Sequence, residues 1–256
     1  MAEKVIVITG ASSGIGAALA VRLGAQGHSL ALAARREQEL QGVAANAGSK
    51  ALAIVTDVRR RPDVERLRDA ALTQFGRVDV WINNAGRGIG RKVADLTDED
   101  LDEMMAVNVK SALYGMQAVL PHFMQRGDGH IINVSSFLGR APLAAYRSAY
   151  SAAKAALNSL TANLRMELKA THPGIHVSLV MPGMVATDFA RNALGGTPPF
   201  PPGVRPPPSQ TADEVAGVIA ALIEHPQSEI CTNPAMADIA RRYFQDVEAF
   251  EASMKP

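Results

Sequence analysis

The sequence predicts an α/β domain, with a parallel sheet of about seven strands, doubly wound and covered by helices on both faces. Three observations predict it. Short apolar runs rich in β-branched residues alternate along the chain with helical stretches, the pattern of parallel strands joined by crossover helices. The first apolar run leads at once into a glycine turn and then into a four-residue apolar period. At 256 residues and 47% hydrophobic content, the chain is long enough for one large core. No internal repeat or linker divides it.

Taken in order, residues 5–8 (Val-Ile-Val-Ile) form the first strand, followed by Thr9-Gly10-Ala11-Ser12-Ser13-Gly14-Ile15-Gly16. Ile15, Leu19 and Leu23 then recur every four residues, Gly27 supplies a stop, and residues 30–34 are the second strand. Gly10 permits a tight turn, while Gly14 and Gly16 let a phosphate approach backbone at a helix amino terminus, so the unit suits a dinucleotide. Its spacing differs from the common Gly-x-Gly-x-x-Gly, because three residues separate the first two glycines. Further strands are expected at 51–55, 78–82, 130–134 and 176–181, with a short one at 229–231. Two helices should open with capping boxes, Thr97 with Asp100 and Thr211 with Glu214. Residues 148–168, rich in Ala and Leu and free of Pro and Gly, predict a long helix.

That helix carries Tyr150 and Lys154, four apart and therefore on one face. A phenol titrates near ~10 in water, and a neighbouring ammonium favours the phenolate. Such a pair can move a proton to or from an alcohol near neutral pH.

Composition excludes several classes. A net charge of +1 gives no electrostatic case for nucleic acid, and Arg59-Arg60-Arg61 reads as a solvated turn. A single cysteine, Cys231, forbids an internal disulfide framework and suits a reducing compartment. The six histidines are scattered, with no pairing that suggests a metal site. No apolar run reaches membrane-spanning length, and Met-Ala-Glu-Lys opens straight into a strand, so a cytoplasmic location without membrane association is expected.

From residue 5 to about 188 the chain resembles the short-chain dehydrogenase/reductase family. The family's Thr-Gly-x-x-x-Gly-x-Gly is met from Thr9 to Gly16, and its Asn-Asn-Ala-Gly is Asn83-Asn84-Ala85-Gly86. Its helix-borne Asn matches Asn108 in Val-Asn-Val, and its Ser matches Ser136, with Gly139 three residues later. Tyr-x-x-x-Lys is Tyr150 and Lys154; the Pro-Gly turn is Pro182-Gly183, with Thr187 beyond.

The resemblance implies one Rossmann-type NAD(P)-binding domain over residues 1–256, with 190–210 as a proline-rich substrate-covering segment and 211–256 as a divergent carboxyl-terminal part. It implies an oxidoreductase interconverting a ketone or aldehyde with an alcohol by hydride transfer. Tyr150 would be the general acid/base, and Lys154 would bind the nicotinamide ribose and lower the Tyr150 pKa. Ser136 would orient the substrate oxygen, and Asn108 would steady a water linking Lys154 to solvent. Gly10, Ser12, Ser13, Gly14, Ile15 and Gly16 would hold the pyrophosphate end, Asp57 and Val58 the adenine, and Asn83, Ala85 and Gly86 the adenosine ribose. Pro182, Gly183, Val185 and Thr187 would frame the carboxamide. No acid ends the second strand, and Arg35-Arg36 follow it, so NADP(H) is preferred, with NAD(H) as the alternative if Glu37 or Glu39 reaches the ribose.

Other readings stay open. Ser135 competes with Ser136, and Tyr146 is a second phenol without a lysine four residues on. Arg87, Arg91, Arg140 and Arg147 read as solvated arginines near the mouth, while Phe189, Leu194 and Phe200 are candidates for lining a pocket. Residues 195–209 hold seven of the 15 prolines. A carboxyl-terminal helix over 237–252 is expected to carry an apolar stripe of Ile239, Tyr243, Val247 and Phe250. A homodimer or homotetramer is the expected assembly. A cofactor-sensing scaffold and a sugar-nucleotide epimerase or dehydratase are the other function classes.

Overall fold

A computed structural model describes residues 2–198 and 208–254. The amino-terminal half runs β1 (Val5–Thr9), α1 (Gly14–Ala25), β2 (Ser29–Ala34), α2 (Glu37–Ala47), β3 (Ala51–Val55), α3 (Arg61–Phe75), β4 (Val80–Asn83), α4 (Asp98–Met105) and α5 (Ser111–Arg126). There follow β5 (Gly129–Val134), α6 (Ser148–Lys169), β6 (Ile175–Met181), β7 (Val185–Ala186), β8 (Gln210–Thr211), α7 (Ala212–Glu224), β9 (Glu229–Cys231), α8 (Ala235–Gln245) and α9 (Val247–Ser253). The seven-stranded sheet has the order β3-β2-β1-β4-β5-β6-β9, and the pairings of β1 with β2 and with β4 are both parallel. The order therefore reverses between β1 and β4, and a crevice opens there at the carboxyl ends of the strands.

Why β1 reads as an unbroken apolar run is explained by its place: every residue is buried, because helices cover both faces. Alternate side chains go to opposite cores. Ile6 and Ile8 pack with Leu19, Leu23, Leu40 and Ile219 from α1, α2 and α7. Val7 and Trp81 pack with Leu67, Val119, Phe123 and Leu168 from α3, α5 and α6. A third, smaller cluster joins Ile89, Met104, Val109, Ala149, Tyr150 and Ala153 beside the crevice.

Both expected capping boxes form, at Thr97 with Asp100 and at Thr211 with Glu214. The fourth strand begins at Val80 instead of residue 78, since Asp79 turns its carboxylate to the Val5 amide at 2.7 Å. The expected single carboxyl-terminal helix is two helices. Asp246 is extended (φ −158°, ψ 97°) and caps α9 by accepting from the Ala249 amide at 2.9 Å. A helix-capping side chain there competes with continuation of α8. The apolar stripe survives across the break, with Tyr243 and Phe250 edge to face at 5.6 Å, while Val247 is exposed. Phe200 and most of the proline-rich run lie outside the described residues. Among the described residues no helix is long and apolar enough to cross a membrane.

Candidate active site

The glycine turn is built to bring backbone groups together. Gly10 and Gly14 have φ of +69° and +58°, where a side chain would be strained. A Cβ on Gly16 would run into the Gly10 carbonyl, so the helix start presses against the turn. Thr9 and Asn84 tie this turn to the end of β4. The Thr9 hydroxyl accepts from the Asn84 and Ala85 amides at 3.0 and 3.1 Å, and Asn84 Nδ2 donates to the Thr9 carbonyl at 2.9 Å. Sequence reasoning assigned neither residue a role; the pairing is with a segment 75 residues away. Ser13 makes no side-chain cap on α1, and the first turn of α1 carries no acid. Its backbone N–H groups are thus left for an anion. Ile15 follows them and packs against the core below.

Arg36 reaches over this turn, donating to Ser13 Oγ at 2.8 Å and Ser12 Oγ at 3.1 Å. Glu39 pairs with Arg36 at 3.4 Å and Glu37 accepts from Gln41 at 3.2 Å, so both acids are engaged on their own helix. Arg35 is exposed directly after β2. The Asp57 carboxylate is held by Arg59 at 2.6 Å, a hydrogen bond that lowers its pKa. Val58 gives its side chain to the core. Asn83 is buried, bonded to Trp81, to the Ala112 carbonyl and to Asn133. Any contact that Asn83 makes with a nucleotide therefore runs through its backbone.

The reactive cluster sits where β4, β5 and α6 converge. Tyr150 and Lys154 occupy successive turns of α6, only 7% and 3% exposed. Lys154 Nζ donates to the Val134 carbonyl at 3.0 Å and lies 5.8 Å from the centre of the Tyr150 ring. Ser136 begins the turn after β5; its hydroxyl accepts from the Leu138 amide at 3.2 Å and lies near enough to the Tyr150 phenol to act downward on its pKa. Ser135, the competing hydroxyl, is spent on α6, donating to Asn158 Oδ1 at 2.5 Å. A Cβ on Gly139 would lie 2.6 Å from the Lys154 carbonyl carbon, so glycine lets the turn press onto α6.

Asn108 lies in a π-helical stretch, Ala106–Lys110, that links α4 to α5. Such local widening of a helix is frequent at functional sites. Its Nδ2 donates to the Met104 and Arg87 carbonyls at 3.1 and 3.0 Å, and its Oδ1 accepts from the Arg87 amide at 3.2 Å. A Cβ on Gly86 would lie 3.0 Å from Asn108 Oδ1 and 3.6 Å from Lys154 Nζ, so all three meet at one point.

Burial sets the charge states. It pushes the Tyr150 phenol up to about 12, against the Ser136 hydroxyl and the Arg147 guanidinium, which both act downward. It pulls Lys154 down to about 7. The sequence led to the opposite expectation for the phenol. Desolvation prevails because the lysine turns its Nζ to a carbonyl and is itself disfavoured as a cation.

The carboxyl ends of β6 and β7 complete the crevice. Pro182 is buried, Val185 sits in β7, and the Thr187 methyl would lie 3.4 Å from a Cβ on Gly14. Phe189 tilts over Tyr150, ring centres 5.4 Å apart. The four arginines near the mouth are not free in solvent. Arg87 pairs with Glu103, Arg91 with Asp100 and Arg140 with Glu229, and Arg147 is 6% exposed. The first of the three adjacent arginines is engaged as well, since Arg59 holds both Asp57 and Glu103. Long-range partners pull these side chains down, which composition alone could not indicate.

A doubly wound parallel sheet with a buried tyrosine and lysine at its crevice defines a class, the dinucleotide-fold oxidoreductases. Residues 4–195 match the family model described as short chain dehydrogenase, and the chain belongs to that family. It is 39% identical over 185 residues to an uncharacterised oxidoreductase of Staphylococcus epidermidis, covering 72% of this chain and 79% of that protein. Among solved structures, a short-chain dehydrogenase/reductase from Burkholderia phymatum in complex with NAD superimposes with a TM-score of 0.87 at 29% identity, covering 99% of this chain and 97% of that one. A short-chain dehydrogenase from Burkholderia cenocepacia in complex with NADP gives 0.82 at 28% identity, covering 99% and 98%.

Proposed function

We propose that this oxidoreductase interconverts a small-molecule carbonyl and an alcohol using NADP(H), with Tyr150 as general acid/base. One observation carries the reading: Tyr150, Lys154, Ser136, Asn108 and Gly86 gather at the crevice where the sheet order reverses. The residues fit a nicotinamide dinucleotide. The uncapped start of α1 and the φ-positive glycines suit a pyrophosphate, and the space beside Gly86 that only a glycine leaves open faces Lys154 Nζ.

When bound, the cofactor supplies the hydride. Tyr150, protonated at neutral pH as any phenol is and still more firmly so through burial, gives its proton to the developing alkoxide. Ser136 Oγ orients that oxygen as a preorganised donor. Lys154, with its pKa near 7, would bind the ribose hydroxyls and can take up or give a proton near neutral pH. Asn108 fixes Arg87 through both backbone groups and would steady a water that links Lys154 to solvent. Thr187, with the backbone of Pro182, Gly183 and Val185, frames the carboxamide. Asp57 and Val58 would hold the adenine, and the backbone of Asn83, Ala85 and Gly86 its ribose.

The NADP preference rests on Arg35 and Arg36, with Arg36 already reaching over the glycine turn and no acid at the end of β2. Guanidinium matches a 2′-phosphate by charge and by shape. A homodimer or homotetramer in the cytoplasm belongs to the same reading; Met124 on α5 and Met166 on α6 leave exposed apolar surface for a partner copy. The test is titration of NADPH and NADH by nicotinamide fluorescence, followed by NADPH oxidation across a panel of ketones and aldehydes. NADPH should bind more tightly and be oxidised. Equal Kd values would sink the NADP preference, and binding with no turnover on any compound would favour a sensor.

A further inference from the structure

Arg147, at the start of α6, is buried without a carboxylate. Its Nη1 donates to the Ile89 carbonyl at 3.1 Å and its Nη2 to Thr197 Oγ1 at 2.7 Å. No acid lies within ion-pair distance of it among the described residues, whereas Arg87, Arg91 and Arg140 each have one. The centre of the Tyr146 ring lies 5.2 Å from its guanidinium carbon, but a buried cation with no anionic partner still costs stability that an apolar side chain would not. What the cation does is join two segments. Ile89 belongs to the loop after β4, and Thr197 ends the stretch that follows β7.

The same two segments meet along a short parallel contact. The Gly90 amide donates to the Leu194 carbonyl at 2.7 Å and the Leu194 amide to the Gly88 carbonyl at 3.0 Å. Gly90 leaves no room for a side chain, because a Cβ would run into the Gly196 carbonyl. A Cβ on Gly88 would lie 2.8 Å from the Phe189 ring and 2.9 Å from Arg147 Nη1, so guanidinium and ring are neighbours across that glycine. The ring in turn leans on Tyr150.

We propose that Arg147 is a positioning residue: by tying residues 188–197 to the loop 86–91 it holds Phe189 against Tyr150 and fixes the wall on which the carbonyl substrate is oriented. This rests on the reading of Tyr150 as the proton donor. Orientation of a bound reactant is sensitive to displacements near 1 Å, so the effect belongs in the substrate step and not in cofactor binding.

The experiment compares the full chain with its Arg147→Met, Arg147→Lys, Thr197→Val and Arg147→Met/Thr197→Val variants, using NADPH and a ketone that the parent turns over. Arg147→Met should lower kcat/KM for the ketone about tenfold or more, with NADPH Kd changed by less than about twofold, and Arg147→Lys should recover part of the loss. The double variant should be no worse than Arg147→Met alone, since both substitutions break one contact. Thr197→Val tests the same contact should Arg147→Met fail to fold. An unchanged kcat/KM in both single variants, or penalties that multiply in the double variant, would overturn the proposal. Tyr150→Phe is run beside them: if it keeps full turnover, the reading of the site fails; if it is dead while kcat/KM is indifferent to Arg147 and Thr197, only this inference fails.

Discussion

In the proposed reading, Arg36 is the side chain that sets the cofactor preference. Its guanidinium lies over the two serines of the glycine turn and is exposed, so a 2′-phosphate placed beside it would meet a cation that can exchange those hydroxyl partners, and Glu39, for phosphate oxygens. Arg36→Ala should weaken NADPH binding by about tenfold or more and leave NADH nearly unchanged, as fluorescence titration of each would show. Equal losses for both cofactors would mean that the arginine merely props the turn. At this scale the sequence was legible where chemistry follows from local spacing. Tyr150 and Lys154 share a helix face because they are four apart, and the glycines declare a turn. It was silent where a partner comes from far away. Asn83 reads like a ligand-facing asparagine, yet its amide bonds Asn133, 50 residues on. Arg147 reads like a solvated arginine, yet its partners are 58 and 50 residues away.

Elements were legible in their type and less so in their ends. The strands announced themselves because burial on both faces demands continuous apolar runs. The capping boxes marked two helix starts, since a Thr and an acid three residues later satisfy each other's backbone donors. Thr211→Ala should cost about 1 kcal/mol, read as a lower urea midpoint, while turnover at saturating substrate stays as it is. Its hydroxyl accepts from the Glu214 amide at 3.1 Å, so no loss of stability would mean that the cap contributes nothing to α7. The break at Asp246 escaped notice because the apolar period continues through it; only the aspartate, a helix-capping residue, marked the interruption. The π-helical widening at Asn108 left no mark in the apolar pattern either.

Across the whole molecule, buried titratable groups tie stability to pH. His130 lies between β4 and β6, and burial pushes its pKa down to about 3. Ser178 gives its hydroxyl proton to the Gln227 carbonyl, so it accepts from His130 Nε2 at 2.8 Å and the ring is neutral with Nδ1 bare. A folded pKa below the ordinary 6.5 means that the unfolded chain takes up the proton first. This contribution to stability is complete above the ordinary value and is lost as pH falls toward 3. Lys154, lowered from 10.5 to about 7, has the same sign in a higher window: its contribution is complete above 10.5 and shrinks as pH falls toward 7. Tyr150, raised from 10.0 to about 12, loses its contribution as pH climbs through that interval. The His130 ring should keep its neutral NMR signature at pH 5, and the urea midpoint should drop as pH falls below 6.5. A ring that titrates near 6.5 would contradict the buried geometry.

The measurement that bears most directly on the site is single-turnover oxidation of bound NADPH by a ketone, in the parent chain and in Tyr150→Phe. The account predicts NADPH affinity within a few-fold of the parent and a rate lower by roughly 10²–10⁴, because only the proton donor has been removed. Undiminished turnover in Tyr150→Phe would contradict the assignment of the proton to Tyr150, and with it the proposed mechanism.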